Sequence, residues 1–201
     1  MLRRLGHAAT EVRLPGELEG LDGLIIPGGE STTIGMLAEQ YHLMEPIRDL
    51  ARSRPVWGTC AGAIFLSQDV RRQQPLLGLM NIRVERNAFG RQVDSFETDL
   101  DVPALAAVEA QAAVRGMEAQ AAVRGNGQAA AAEAGHPRPF HAIFIRAPLI
   151  EEVGQGVEVL SRLSDGRIVA ARQGHLLATS FHPELTRDDR FHRLFVSLAQ
   201  E

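Results

Sequence analysis

The sequence predicts an α/β fold in three layers, with a mostly parallel central sheet and helices on both faces. Three observations carry that prediction. Short apolar runs alternate with helix-patterned stretches, as at Gly23-Leu24-Ile25-Ile26-Pro27 and the following Ser31–Glu39. Such runs, apolar along their whole length, suit strands buried on both sides. The runs also end in glycine-containing turns, Gly28-Gly29 and Gly58-Thr59-Cys60-Ala61-Gly62, before a helical pattern begins. That βαβ rhythm implies parallel strands whose ligands lie beyond their carboxyl ends.

The elements follow in order. Glu11–Leu14 reads as a short strand and Leu24–Ile26 as a buried one. Helices are expected from Ser31 or Thr32 to Glu39 and over Met44–Arg52. Val56-Trp57 is the next strand. Leu79–Val84 and Ser95–Leu100 look like strands around a turn at Phe89-Gly90. Strand patterns resume at Ala142–Ile145, Val157–Leu160 and Ile168–Ala171, and the alternation of the last two predicts a partly antiparallel region. Leu176–Ser180 is a final strand. A helix over Arg187–Ala199 places Phe191, Leu194, Phe195 and Leu198 at core-facing spacing.

A chain of 201 residues, 45% hydrophobic and 23% charged, is expected to form a single domain, 1–201, with a sizeable core. Residues 103–140 depart from that pattern. They are alanine-rich, and Glu109–Gly116 recurs as Glu118–Gly125. Two copies make no solenoid. The stretch reads as a duplication within an external, mobile loop, helical in part, inserted into the domain.

A net charge of −4 gives no reason to expect nucleic acid or an anionic membrane as partner. No apolar run approaches the roughly 18 residues of a membrane span, and Met1–His7 lacks the apolar stretch of a signal peptide. A cytoplasmic enzyme is the expectation. A single cysteine excludes an internal disulfide and a multi-cysteine zinc site. All 21 basic residues are arginine. The chain therefore offers no lysine for a Schiff base or for a phosphate-binding P-loop. No cofactor or metal is expected.

That one cysteine is the most telling residue. Gly-x-Cys-x-Gly between a strand and a helix is the thiol form of a nucleophile elbow. The glycines permit a tight turn that lifts Cys60 to the helix N-terminus, where a thiolate is favoured. A buried structural cysteine is the plainer alternative. A thiol nucleophile needs a base, and the base needs an orienting group. His182-Pro183-Glu184 fits both roles, because residues two apart in an extended segment face one side and Pro183 favours extension at His182. An ordinary loop histidine remains open. His7 and His42 lie in helix or loop contexts, His136 borders the insert, and His192 is on the last helix. His141 and His175 lack a carboxylate nearby in sequence. Gly28-Gly29 offers backbone N–H groups for an oxyanion, or only a tight turn. Glu30 and the missing lysine weaken a phosphate cradle.

Three separated motifs together resemble class I glutamine amidotransferases: Pro27-Gly28-Gly29-Glu30-Ser31-Thr32-Thr33, Gly58–Gly62 and Ser180-Phe181-His182-Pro183-Glu184. Val84–Gln92 and Ile143–Pro148 narrow the resemblance to the glutaminase subunits of two-protein pyridoxal 5′-phosphate synthases. The resemblance implies a flavodoxin-like sheet, with Cys60 as nucleophile, His182 as base and Glu184 as its orienter. It implies L-glutamine held by Gly29, Glu30, Ser31, Arg86, Ile145 and Arg146, with backbone N–H groups of Gly28, Gly29 and Ala61 facing the oxyanion. The product ammonia would pass to a separate, ring-forming synthase subunit. Members of that family begin with a further strand and a Leu-Gln-Gly-type loop. Met1–Gly6 aligns inside the first helix, so the sheet is expected to lack that first strand. A weak or inactive synthase-binding subunit and a thiol hydrolase of γ-glutamyl compounds are the alternatives.

Overall fold

The computed structural model describes residues 1–86, 95–110 and 138–200. The Phe89-Gly90 turn and the second copy of the repeat lie outside them. The chain opens with one 3₁₀ turn, Leu2–Leu5, closed by Gly6 in the left-handed conformation (φ 87°). A second 3₁₀ turn spans Pro15–Leu18. Then come β1 (Leu24–Ile26), α1 (Ser31–Gln40), α2 (Met44–Leu50), β2 (Val56–Thr59), α3 (Ala61–Leu66), β3 (Ser67–Asp69), β4 (Met80–Glu85) and β5 (Ser95–Leu100). Residues 105–110 are helical (α4). The rest is β6 (Phe140–Ile145), β7 (Leu149–Val153), β8 (Glu158–Arg162), β9 (Ile168–Gln173), β10 (Leu176–Thr179), a 3₁₀ turn at Pro183–Leu185 and α5 (Arg190–Leu198).

Eight strands form the main sheet in the order β1-β2-β10-β9-β7-β4-β3, with β8 beside β9. β1, β2 and β10 are parallel, as are β3 and β4. From β10 through β9 and β7 to β4 the neighbours are antiparallel, and so is the β8–β9 pair. The parallel part, which the βα rhythm foretold, carries the carboxyl ends of β1, β2 and β10 to one rim.

Two apolar layers cover the sheet. On one face Ile26, Val56 and Ala178 pack with Ala38 of α1, Ile47 of α2 and Ile64–Leu66 of α3. On the other, Trp57 and Leu177 pack with Leu105 and Val108 of α4, Phe191 and Leu194 of α5, and Phe140 and Phe144 of β6. Val56 and Trp57, adjacent in sequence, thus enter opposite layers, as the two-residue period of a strand requires. Phe181 joins this second layer edge-on to Phe144 and Phe191. His192, beside Trp57, is buried; its burial lowers its pKa to about 4, so the ring is neutral there.

Two expectations fail. Glu11–Leu14 is not a strand. The Glu17 carboxylate accepts the backbone N–H groups of Arg13 (2.6 Å) and Leu14 (2.8 Å), so these donors serve the Pro15 turn and not a sheet. In addition, β4 and β5 do not form a hairpin. β4 lies in the main sheet, whereas β5 pairs with β6 in a separate two-stranded ribbon, joining Leu100 to Phe140 and Ser95 to Ile145.

Arg190, only 5% exposed, joins several of these parts. It donates to Glu109 Oε1 (2.7 Å) at α4, to the Arg138 and Pro139 carbonyls (2.6 and 2.9 Å) just before β6, and to both Asp188 oxygens. The desolvated guanidinium is therefore fully bonded.

The backbones come very close where α3 crosses β1 and β2. A Cβ on Gly62 would lie 2.0 Å from the Ile26 carbonyl oxygen, and one on Gly58 would lie 2.4 Å from Gly62 backbone atoms. Both obstacles are main chain and cannot swing aside. Gly62→Ala is therefore expected to destabilise the protein by roughly 3 kcal/mol, read as a fall in the urea midpoint. A midpoint equal to that of the parent would contradict this packing.

Candidate active site

Cys60 is the residue between β2 and α3, and the crossing forces it into a positive-φ backbone conformation (φ 51°, ψ −111°) that side chains rarely adopt. Such strain in a residue with a side chain persists only when its surroundings over-determine it. Its N–H donates to the Thr179 carbonyl at 2.8 Å, fixing the elbow to the end of β10. The side chain is 7% exposed, and Sγ lies 4.0 Å from the Ile145 carbonyl oxygen.

His182 reaches the same rim from β10. Phe181, fully buried, anchors the preceding residue, and the His182 N–H donates to the Ile143 carbonyl at 2.8 Å. Its Nδ1 lies 2.8 Å from Glu184 Oε1. The expected pairing is present, but the route differs. Glu184 sits in the Pro183–Leu185 3₁₀ turn, not in an extended segment, because proline presets the first position of such a turn. The imidazole and the Cys60 thiol face the same cavity. The thiol first, and Glu184 second, raise the His182 pKa to about 10 against the opposing effect of burial, and against burial the His182 bond helps keep the Glu184 pKa low.

Gly28 lies against both groups. A Cβ there would sit 2.6 Å from His182 Cε1 and 3.4 Å from Cys60 Cβ. The close approach of backbone to imidazole is what requires glycine here. Gly29 (φ 149°) follows, with Glu30 as the N-cap of α1. Glu30 accepts Thr33 N–H at 2.7 Å and the hydroxyls of Thr32 and Thr33. The Thr32 hydroxyl first, then the Thr33 N–H, lower its pKa to about 2.

Glu30 then receives Arg86 Nη2 at 2.6 Å. Arg86 Nη1 donates to Gln74 Oε1 at 3.0 Å, and Gln74 Nε2 lies 3.4 Å from Ser31 Oγ. Arg146 has a left-handed backbone (φ 43°), which turns the chain at the end of β6. One open cavity of about 440 Å³ lies among them. Gly29, Glu30, Ser31, Arg86, Ile145 and Arg146 line it, as do Cys60, Ala61 and His182. Glu184 stands behind His182 and Gly28 behind the Cys60–His182 pair. Ile64, on the cavity wall, and Gln74, bonded to Arg86, had no motif to mark them. His141, read as lacking a carboxylate, has two: Asp99 and Glu97, each 3.0 Å away, reached across the β5–β6 pairing.

The His182 proton makes the site testable without a substrate. The folded pKa lies above the ordinary 6.5, so the protonated ring stabilises the fold fully below pH 6.5, and that contribution is lost as pH rises towards about 10. Histidine NMR is expected to find His182 still protonated at pH 8. Cys60→Ala should move its midpoint down the furthest, and Glu184→Gln should also lower it. A parent midpoint near 6.5 would mean the ring does not hold these partners in solution.

Comparison with known proteins gives one family. The model of the SNO glutamine amidotransferase family matches residues 1–201. A protein of Herpetosiphon aurantiacus named pyridoxal 5′-phosphate synthase subunit PdxT is 52% identical, over 98% of this chain and 91% of that protein. The protein of the same name from Dehalococcoides mccartyi is 50% identical, over 100% of this chain and 90% of that one. A crystal structure described as a glutamine amidotransferase superposes with a TM-score of 0.80 at 46% identity, covering all of this chain and 90% of that one.

Proposed function

The chain belongs to the SNO glutamine amidotransferase family, and from that premise we propose that it is the glutaminase subunit of a pyridoxal 5′-phosphate synthase. It hydrolyses L-glutamine to L-glutamate and ammonia and supplies the ammonia to a synthase subunit in a ring-forming hetero-oligomer. The observation that carries this reading is the meeting, at one cavity, of a thiol–imidazole–carboxylate chain with a separate Arg86–Glu30 pair.

The chemistry follows from those groups. Arg86 takes the α-carboxylate of glutamine and Glu30 its α-ammonium, with Gly29, Ser31, Ile145 and Arg146 shaping the remainder of the pocket. The side-chain amide then points at Cys60. With the proton of the thiol–imidazole pair on the His182 nitrogen not held by Glu184, the Cys60 sulfur attacks the amide carbon. Backbone N–H groups of Gly28, Gly29 and Ala61 face the developing oxyanion. His182 returns the proton to the departing nitrogen, the C–N bond breaks, and ammonia leaves a glutamyl thioester. Neutral His182 next takes a proton from water, whose oxygen attacks the thioester. The C–S bond breaks and glutamate departs. Glu184 holds the imidazole in position throughout.

The test is glutamate release from L-glutamine, alone and with the synthase subunit added. Cys60→Ala is expected to lower it by more than about a thousandfold. Release that survives this substitution would remove Cys60 from the chemistry. Hydrolysis of γ-glutamyl peptides in preference to glutamine would replace the substrate.

A further inference from the structure

We propose that Gln74 is a positioning residue for the substrate head group: it holds Arg86 in place with a neutral acceptor, keeping the guanidinium charge free for an amino-acid carboxylate. The inference rests on the glutaminase reading and assigns a role to a residue that no motif in the chain marks.

Arg86 and Glu30 already touch, with Nη2 2.6 Å from Oε1. Left to themselves, an arginine and a carboxylate prefer a two-pronged pair in which each spends its charge on the other. A head-group site collapsed in that way offers a weaker cation to a carboxylate and a weaker anion to an ammonium. Here the second prong is taken. Arg86 Nη1 donates to Gln74 Oε1 at 3.0 Å, while Gln74 Nε2 lies 3.4 Å from Ser31 Oγ. An amide oxygen orients the guanidinium without neutralising it, whereas a carboxylate at position 74 would cancel it.

Gln74 can do this because the segment that carries it is fixed. A Cβ on Gly35 of α1 would lie 2.7 Å from the Pro75 carbonyl oxygen, so helix and segment touch through main chain. Arg48 of α2 donates to the carbonyls of Leu76 and Leu77, both at 3.0 Å. Leu77 and Leu79 N–H groups donate to the Phe65 and Leu66 carbonyls of α3 at 2.8 and 3.0 Å. The segment is thereby tied to α1, which starts at Glu30 and Ser31, and to α3, which starts beside Cys60. Gln74 is part-buried at the junction, where a hydrogen bond to the guanidinium gains from reduced competition with water.

The experiment uses the full chain with its synthase subunit and two substitutions, Gln74→Ala and Gln74→Met, the second keeping the bulk and losing the polar atoms. Both are expected to raise KM for L-glutamine about tenfold, with kcat within about twofold of the parent. Inactivation of Cys60 by 6-diazo-5-oxo-L-norleucine, which bears the amino-acid head group, should slow about tenfold. Inactivation by iodoacetamide, which lacks it, should keep the parent rate. Equal slowing with both reagents, or parent-like KM in Gln74→Met, would overturn the assignment, since the first signals a general disturbance and the second a packing role. A parent protein inert to glutamine would overturn the glutaminase reading itself, and this inference with it.

Discussion

A crossing with no room for side chains sets the geometry of this protein. Where α3 leaves β2, the backbones of Gly58, Gly62 and Ile26 are in direct contact, and no rotamer could relieve a Cβ placed among them. The helix can lie so close to the sheet only if the intervening residue turns sharply. That residue is Cys60, whose φ of 51° carries the strain of the turn. The parallel pairing of β2 with β10 then aligns Thr59 with Thr179. The next residue on one strand is the cysteine, and three beyond Thr179 is His182. More than a hundred residues of sequence separation collapse into a sheet spacing at one rim.

The rim has a rigid footing. Phe140, Phe144, Phe181 and Phe191 interlock beneath it, edge to face except for the tilted Phe140–Phe181 pair, with Trp57 alongside donating its indole N–H to Thr179 Oγ1 at 3.1 Å. Burying Phe181 sends its successor the other way, towards the cavity. Above this platform the site separates into two electrostatic units. One is the Cys60–His182–Glu184 chain, in which a protonated ring is favoured by the sulfur on one side and the carboxylate on the other. The second is the Glu30–Arg86 pair, whose acidic member is held ionised by the hydroxyls and N–H of the first turn of α1. Neither unit needs a residue from the antiparallel half of the sheet beyond Arg86, which directly follows β4.

Much of this was legible in the residues, and the failures are informative. Cys60 could be read because it is the only cysteine and sits in a glycine-flanked turn, and His182 because Pro183 sets it two residues from Glu184. The buried parallel strands could be read because both of their faces are apolar. β3 and β7 could not: Ser67-Gln68-Asp69 and Leu149–Val153 are short and polar on one side, and only their neighbours make them strands. Glu11–Leu14 had the right residue types and no partner, so local capping by Glu17 prevailed. His141 was misjudged because its carboxylates are neighbours across a ladder, a distance that sequence separation does not measure. Gln74 was invisible for the same reason: its meaning lies in Arg86, Ser31 and the backbone of Pro75.

Arg190 has a consequence for how this chain tolerates change. By gripping Glu109 on one side and the Arg138 and Pro139 carbonyls on the other, it fixes both ends of the intervening polypeptide to the base of α5. Once a loop's ends are pinned, lengthening it costs only a logarithmic entropy, about 0.6 kcal/mol for a doubling. A tandem duplication such as Glu109–Gly116 with Glu118–Gly125 can therefore accumulate between those ends at almost no thermodynamic penalty.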